Sequence, residues 1–169
     1  MPRFTVMIIA FAALVVGCTG GEAVNRPAMT QAQALVRIEQ LIKETVDAIT
    51  PKPRLDLYRP SLNINGCFDP TDGGSEDRVV ISRSYYLRDI AREQIAEVAR
   101  QVKQHWEQQG HYIEGASKSG LNISGHSQPD DFLLSLSLTG DNDVLGLGVT
   151  SPCIWPSGTP EPSSETSVA

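Results

Sequence analysis

Leu35, Ile38, Leu41, Ile42, Val46 and Ile49 recur at intervals of three and four residues, a spacing that predicts an amphipathic helix over 31–49 with Arg37, Glu39, Gln40, Lys43, Glu44 and Asp47 on its wet face. Thr30 followed by Gln33 has the form of a capping box, and Pro51 and Pro53 block continuation. Ile95, Val98, Ala99, Val102 and Trp106 form a second stripe, predicting a helix over about 91–109 that stops at Gly110. Elsewhere the period is two. Val79, Ile81, Tyr85 and Leu87 share one parity and Val80, Ser82, Ser84 and Tyr86 the other, giving a strand over 78–87. Residues 112–116 form a further strand that resumes at 121–125 after the Ser117-Lys118-Ser119-Gly120 turn. Residues 132–138 and 145–150 alternate around Gly140-Asp141-Asn142-Asp143 as a hairpin. One hairpin face is apolar and the other small or polar; Gly146 and Gly148 leave the latter bare, as a surface for another backbone or a ligand.

Residues 54–77 read as an irregular loop, with Leu55 and Leu57 spaced for a short extended segment and turns around Asn63, Asn65, Gly66 and Asp72-Gly73-Gly74. The element order predicts an α+β fold: a two-layer sandwich of about four mainly antiparallel strands with two helices on one face.

The apolar run 4–16 behind Arg3 has the length of an export signal and falls short of the ~20 residues that span a bilayer. It ends in Leu14-Val15-Val16-Gly17-Cys18, the form of a bacterial lipobox. An ordinary secretory signal cleaved after Gly17 and an uncleaved anchor are the competing readings, and the cysteine favours a lipoprotein signal peptide over 1–17 with Cys18 lipidated. The thiol count agrees. The chain has 3 cysteines, so lipidation of Cys18 leaves Cys67 and Cys153 as an even pair, expected to form a disulfide in an oxidising compartment. Two buried free thiols are the alternative; neither cysteine has partners at zinc-ligand spacing. Residues 18–29, small and polar, read as a flexible tether, 30–155 as a single domain, and the Pro- and Ser-rich 156–169 as a disordered tail.

With 14 basic and 20 acidic side chains the formal charge is −6, one unit more negative once Arg3 leaves with the leader. No basic stripe is present, which argues against nucleic acid as a partner and against electrostatic docking to anionic headgroups. His105 and His111 have no neighbours at ligand spacing, and no cofactor or metal site is expected. His126 lies in Gly125-His126-Ser127-Gln128-Pro129-Asp130-Asp131. His126, Ser127 and Asp130 are the residue types of a hydrolase triad, yet the run is also ordinary turn chemistry before a strand, and no Gly-x-Ser-x-Gly elbow accompanies it. Arg83, Tyr85, Tyr86 and Arg88 form the densest polar-aromatic stretch. They are a candidate binding surface, or else strand residues that pack.

The stretch from Cys67 through Asp72-Gly73-Gly74 and Glu76-Asp77-Arg78-Val79 to Ser84-Tyr85-Tyr86-Leu87, with Ser151-Pro152-Cys153-Ile154-Trp155-Pro156-Ser157-Gly158-Thr159-Pro160, resembles small uncharacterised lipoproteins of streptomycetes and related actinobacteria. The resemblance implies attachment to the outer face of the plasma membrane and supplies no activity. The sequence therefore points to a lipid-anchored, non-enzymatic binding or interaction module of the cell envelope, whose partner is an envelope protein or a small ligand. An envelope hydrolase and a structural accessory subunit of an envelope complex are the alternatives.

Overall fold

The computed structural model describes residues 29–67, 77–139 and 144–159. Cys18, the leader, the tether up to residue 28, the Asp72-Gly73-Gly74 turn, the 140–143 turn and the tail from 160 lie outside the described residues.

Helix α1 spans Gln31–Asp47. Its capping box is complete: Gln33 N donates to Thr30 Oγ1 and Thr30 N to Gln33 Oε1, satisfying two donors that a helix start otherwise leaves bare. Helix α2, Ile95–Gln108, follows a single 3₁₀ turn at Arg92–Gln94. It ends before Gly110, whose φ of 77° is the left-handed conformation a helix stop requires.

The remaining elements are β1 (Arg54–Leu57), β2 (Ile64–Gly66), β3 (Val79–Arg88), β4 (Tyr112–Ala116), β5 (Ile123–His126), β6 (Leu133–Thr139) and β7 (Val144–Thr150). They build one antiparallel sheet in the order β1-β3-β7-β6-β5-β4, with β2 also paired to β3. The strand count is seven where the sequence pattern predicts about four. Two of the added strands come from residues 54–77, β1 where Leu55 and Leu57 predict a short extended segment and β2 where turns are expected; the third arises because the strand read as resuming after Ser117-Lys118-Ser119-Gly120 is two strands, β4 and β5, paired with each other. The ten-residue β3 is long enough for β1 to pair with its second half and β2 with its first. β2 has no buried residue; it is held by main-chain hydrogen bonds, which hydrophobic alternation does not report.

Ile81, Leu87, Leu134, Leu136, Leu145, Leu147 and Val149 join Ile38, Leu41 and Ile42 of α1 and Val98, Val102 and Trp106 of α2 in one core. β3, β5, β6 and β7 send alternate residues into that core, so the intervening residues form the opposite sheet face. Cys67 and Cys153 sit at disulfide distance and pair, with Cα atoms 5.7 Å apart. Cys67 N donates to Arg78 O, and Val79 bridges Ile154. The bond thus fastens the end of β2 to the segment after β7, across the start of β3. Beyond it, Pro156 O accepts from Gln31 N. No helix among the described residues is long and apolar enough to cross a membrane.

Candidate functional site

The sheet register separates the four residues of the polar-aromatic stretch. Arg83 and Tyr85 have the parity of Ile81 and Leu87 and face the helices. Tyr85 Oη donates to the Glu39 carboxylate at 3.0 Å, and burial followed by that carboxylate pushes its phenol up to about 12. Arg83 Nη1 donates to Ser82 O at 2.7 Å and its Nε lies 3.9 Å from Glu39 Oε1 on α1. Both side chains therefore help seat α1 on the sheet.

Tyr86 and Arg88 have the other parity and stand on the open face. Opposite Tyr86 lie Asp56 on β1 and Gly146 on β7, with Ser137 of β6 beyond. One step along the strands, Ser84, Gly148, Ser135 and Ser124 make a second row from β3 to β5. The Tyr-rich segment and the small-residue hairpin face, read separately in the sequence, are brought together.

Between them is a cavity of about 260 Å³ lined by Tyr58, Tyr86, Ser84, Ser137 and Gly146 among others. Tyr58 and Tyr86 meet edge to face, ring centroids 5.5 Å apart, an arrangement suited to the ring quadrupoles. The Arg88 guanidinium lies 4.7 Å from the Tyr86 centroid and its Nε donates to Asp56 Oδ2 at 3.0 Å, so ring and carboxylate hold one cation in place. Tyr58 was not singled out in the sequence. The signal for it was weak: it follows the short β1, and its place is set by its N–H bond to Ser84 O.

Two glycines shape the floor differently. At Gly148 an added Cβ would lie 2.7 Å from Ser135 Oγ and 2.9 Å from Ser84 Oγ, so the missing side chain is what lets the two hydroxyls close over the backbone. At Gly146 the nearest neighbour of such a Cβ is 3.7 Å away. A side chain at that position would therefore stand in the hollow without displacing its neighbours.

Compared with protein-family models, curated proteins and solved structures, the chain matches none. Its chemistry is therefore read from these side chains alone.

The His126 region is a braced turn. Ser127 is 0% exposed; its Oγ donates to Asp130 Oδ1 at 2.6 Å and accepts from Phe132 N at 2.9 Å. Asp130 Oδ2 accepts from Arg37 Nε, which ties the turn to α1. No hydrogen bond joins His126 to Ser127. The ring instead stands on the open face, in register between Tyr112 and Leu133. Its Nδ1 is 3.0 Å from Asp131 Oδ1 yet makes no hydrogen bond. A hydroxyl committed to a carboxylate and a main-chain N–H has neither the base nor the access that a nucleophile requires. His111 Nδ1 accepts from Gln128 N, and burial, helped by the Arg37 charge, pulls its imidazole below the ordinary value. Among the described residues no group of three His, Cys, Asp or Glu side chains is placed to hold a metal ion.

Burial raises the Asp130 carboxyl, but the Arg37 hydrogen bond, the Ser127 hydroxyl and the Arg37 charge together outweigh it and hold the group below the ordinary carboxylate range. A depressed acid contributes stability that is fully present above its unfolded value of about 3.9 and lost as pH falls through the lower folded value. Asp130→Asn is therefore expected to cost about 1.5–3 kcal/mol at neutral pH, the range for hydrogen bonds to a charged group. It should also flatten the acid limb of a melting-temperature-against-pH curve. Parallel acid limbs for variant and parent would show that other carboxylates govern acid unfolding.

Proposed function

We propose that this chain is a lipid-anchored, extracytoplasmic binding module of the cell envelope, held at Cys18 on the outer face of the plasma membrane and using the open sheet face to grip its partner. The observation that carries the reading is the hollow between Tyr58, Tyr86 and the serine–glycine floor. It is the place where aromatic area, accessible hydroxyls and concavity coincide, as binding sites require. The lipobox and the even cysteine pair left after Cys18 support the location. So does the likeness of the cysteine-flanking segments to actinobacterial lipoproteins.

Two acyl chains, at about 0.8 kcal/mol per buried CH₂, suffice for stable attachment. Cys18→Ser is expected to move the protein from the membrane fraction to the soluble or culture fraction, with mass spectrometry of the parent giving a diacylated Cys18 at the mature N-terminus. A parent that starts at residue 19 or later, or an unmodified Cys18, sinks the anchor. Binding is tested by hydrogen exchange on the full-length protein with and without isolated cell-envelope material. Slowed exchange in β3, β6 and β7 around Tyr86, Ser137 and Gly146 is expected, and unchanged exchange there rules the open face out as the binding surface.

A further inference from the structure

We infer that the ligand of this face is an uncharged, hydroxyl-rich oligomer, an extended glycan lying across the strands; the inference rests on the binding-module reading above. Shape is the first reason. The Tyr58–Tyr86 hollow and a second one beside β4 and β5, of about 420 Å³, share Ser135 and Ser137. Together they form one trough crossing β3, β7, β6 and β5. At ~4.8 Å between neighbouring strands that is about 14 Å of floor, laid out for a chain rather than for a compact molecule.

Charge is the second. The rows from Ser84 to Ser124 and from Tyr86 to Ser137 contain no ionised side chain. Arg88 at the wall is matched by Asp56. An anionic ligand would meet no unpaired cation on this floor, inside a chain of formal charge −6, and a cationic one would meet no unpaired carboxylate. Either would lose hydration without a counter-charge. Charge complementarity selects a neutral partner.

Hydrogen-bonding capacity is the third. The hydroxyls of Ser84 and Ser137 and the phenols of Tyr58 and Tyr86 make no hydrogen bond within the protein among the described residues, and each can both donate and accept. Main-chain groups in the middle of the sheet are spent in the ladders, so an extended peptide cannot pair here as it does at a sheet edge. A ligand that brings its own mixed donors and acceptors can. The C–H faces of sugar rings also match the half-exposed Tyr58 ring, which offers apolar area beside a polar tip.

The test is calorimetric titration of the full-length protein in detergent with three neutral hexamers, chitohexaose, cellohexaose and maltohexaose, beside the anionic polymer polygalacturonate. Saturable binding of at least one neutral hexamer, much weaker for the corresponding monosaccharide, is expected. Tyr86→Ala should weaken it about tenfold or more, the loss typical of an aromatic anchor. Gly146→Val should do the same with little change in melting temperature, since its Cβ has room and its methyls rise into the trough. Binding that ignores both substitutions, or polygalacturonate binding as tight as the best hexamer, overturns the proposal. If no hexamer binds but a trypsin-sensitive envelope component slows exchange around Tyr86, the glycan is wrong and the binding module stands. If nothing engages this face, both fall.

Discussion

Replacing Cys67 and Cys153 by serine, or reducing the parent, should lower stability by about 4 kcal/mol. The bond closes a loop with a sequence separation of 86, for which the chain-entropy relation gives ~4–5 kcal/mol, and native disulfides of small exported domains are typically worth 2–5. For a domain of this size each kcal/mol moves the melting temperature by roughly 3–5 °C, so a drop of about 12–20 °C is expected by circular dichroism. The local consequence should be larger than the average. β2 buries none of its side chains, and Cys67, at 6% exposed, is the buried residue at its end. Without the bond, only the hydrogen bonds to β3 hold Ile64–Gly66 in place. Hydrogen exchange at 64–67 and 153–155 should therefore rise well before the core opens. A melting temperature that moves by less than about 3 °C on reduction would show that packing around Ile154 and Trp155 already fixes this corner.

The parts of the fold that could be read in advance are those whose side chains carry the periodicity. α1 is announced by Thr30, Gln33 and a 3.6-residue stripe, α2 by Ile95 to Trp106, and the β6–β7 hairpin by alternation on both strands. What could not be read is held by main chain. Ile64, Asn65 and Gly66 face water and pair with β3 through backbone groups, so nothing in their side chains marks a strand. The site was half legible for a related reason. Parity alone assigns Tyr85 to the core side and Tyr86 to the other, but the neighbour of Tyr86 across the sheet depends on β7 lying next to β3, a pairing between elements almost sixty residues apart. Gly146 and Gly148 pointed to the right face; only the strand order placed Tyr86 and Tyr58 at its end.

The run around His126 shows the opposite error of reading. Residue types that suit a triad are adjacent there, and alternation along a strand sends His126 to one face and Ser127 to the other. The serine is then used as Ser, Asn and Asp commonly are near turns, to bind its own loop backbone, while Asp130 turns outward to the Arg37 guanidinium. The chemistry that looked catalytic is spent on fixing the β5–β6 connection to α1. It is thereby spent on positioning the strands that carry Ser124 and Ser135.

Trp106→Ala should cost about 3–5 kcal/mol, the range for deleting a fully buried aromatic, and Trp106→Phe about 1–2 kcal/mol. Trp106 is 1% exposed, and its Nε1 donates at 2.9 Å to Thr45 Oγ1, which in turn donates to Leu41 O at 2.8 Å. The tryptophan thus joins α2 to the buried side of α1 by both volume and a hydrogen bond. Phenylalanine keeps most of the volume and leaves the Thr45 hydroxyl still bonded to Leu41, so only one net hydrogen bond and a small void are lost. Alanine leaves a cavity under both helices. Denaturant unfolding of the two variants measures the split, and equal losses would place the whole effect in the hydrogen bond. The consequence reaches the open face as well. Leu145 and Leu147 pack into the same core as Trp106, and they alternate along β7 with Gly146 and Gly148, which form the floor of the hollow. A core that slackens beneath β7 lets the Ser84–Gly148–Ser135 row shift. Trp106→Ala, though far from any ligand, should therefore weaken binding at the trough more than Trp106→Phe does, in step with the loss of stability.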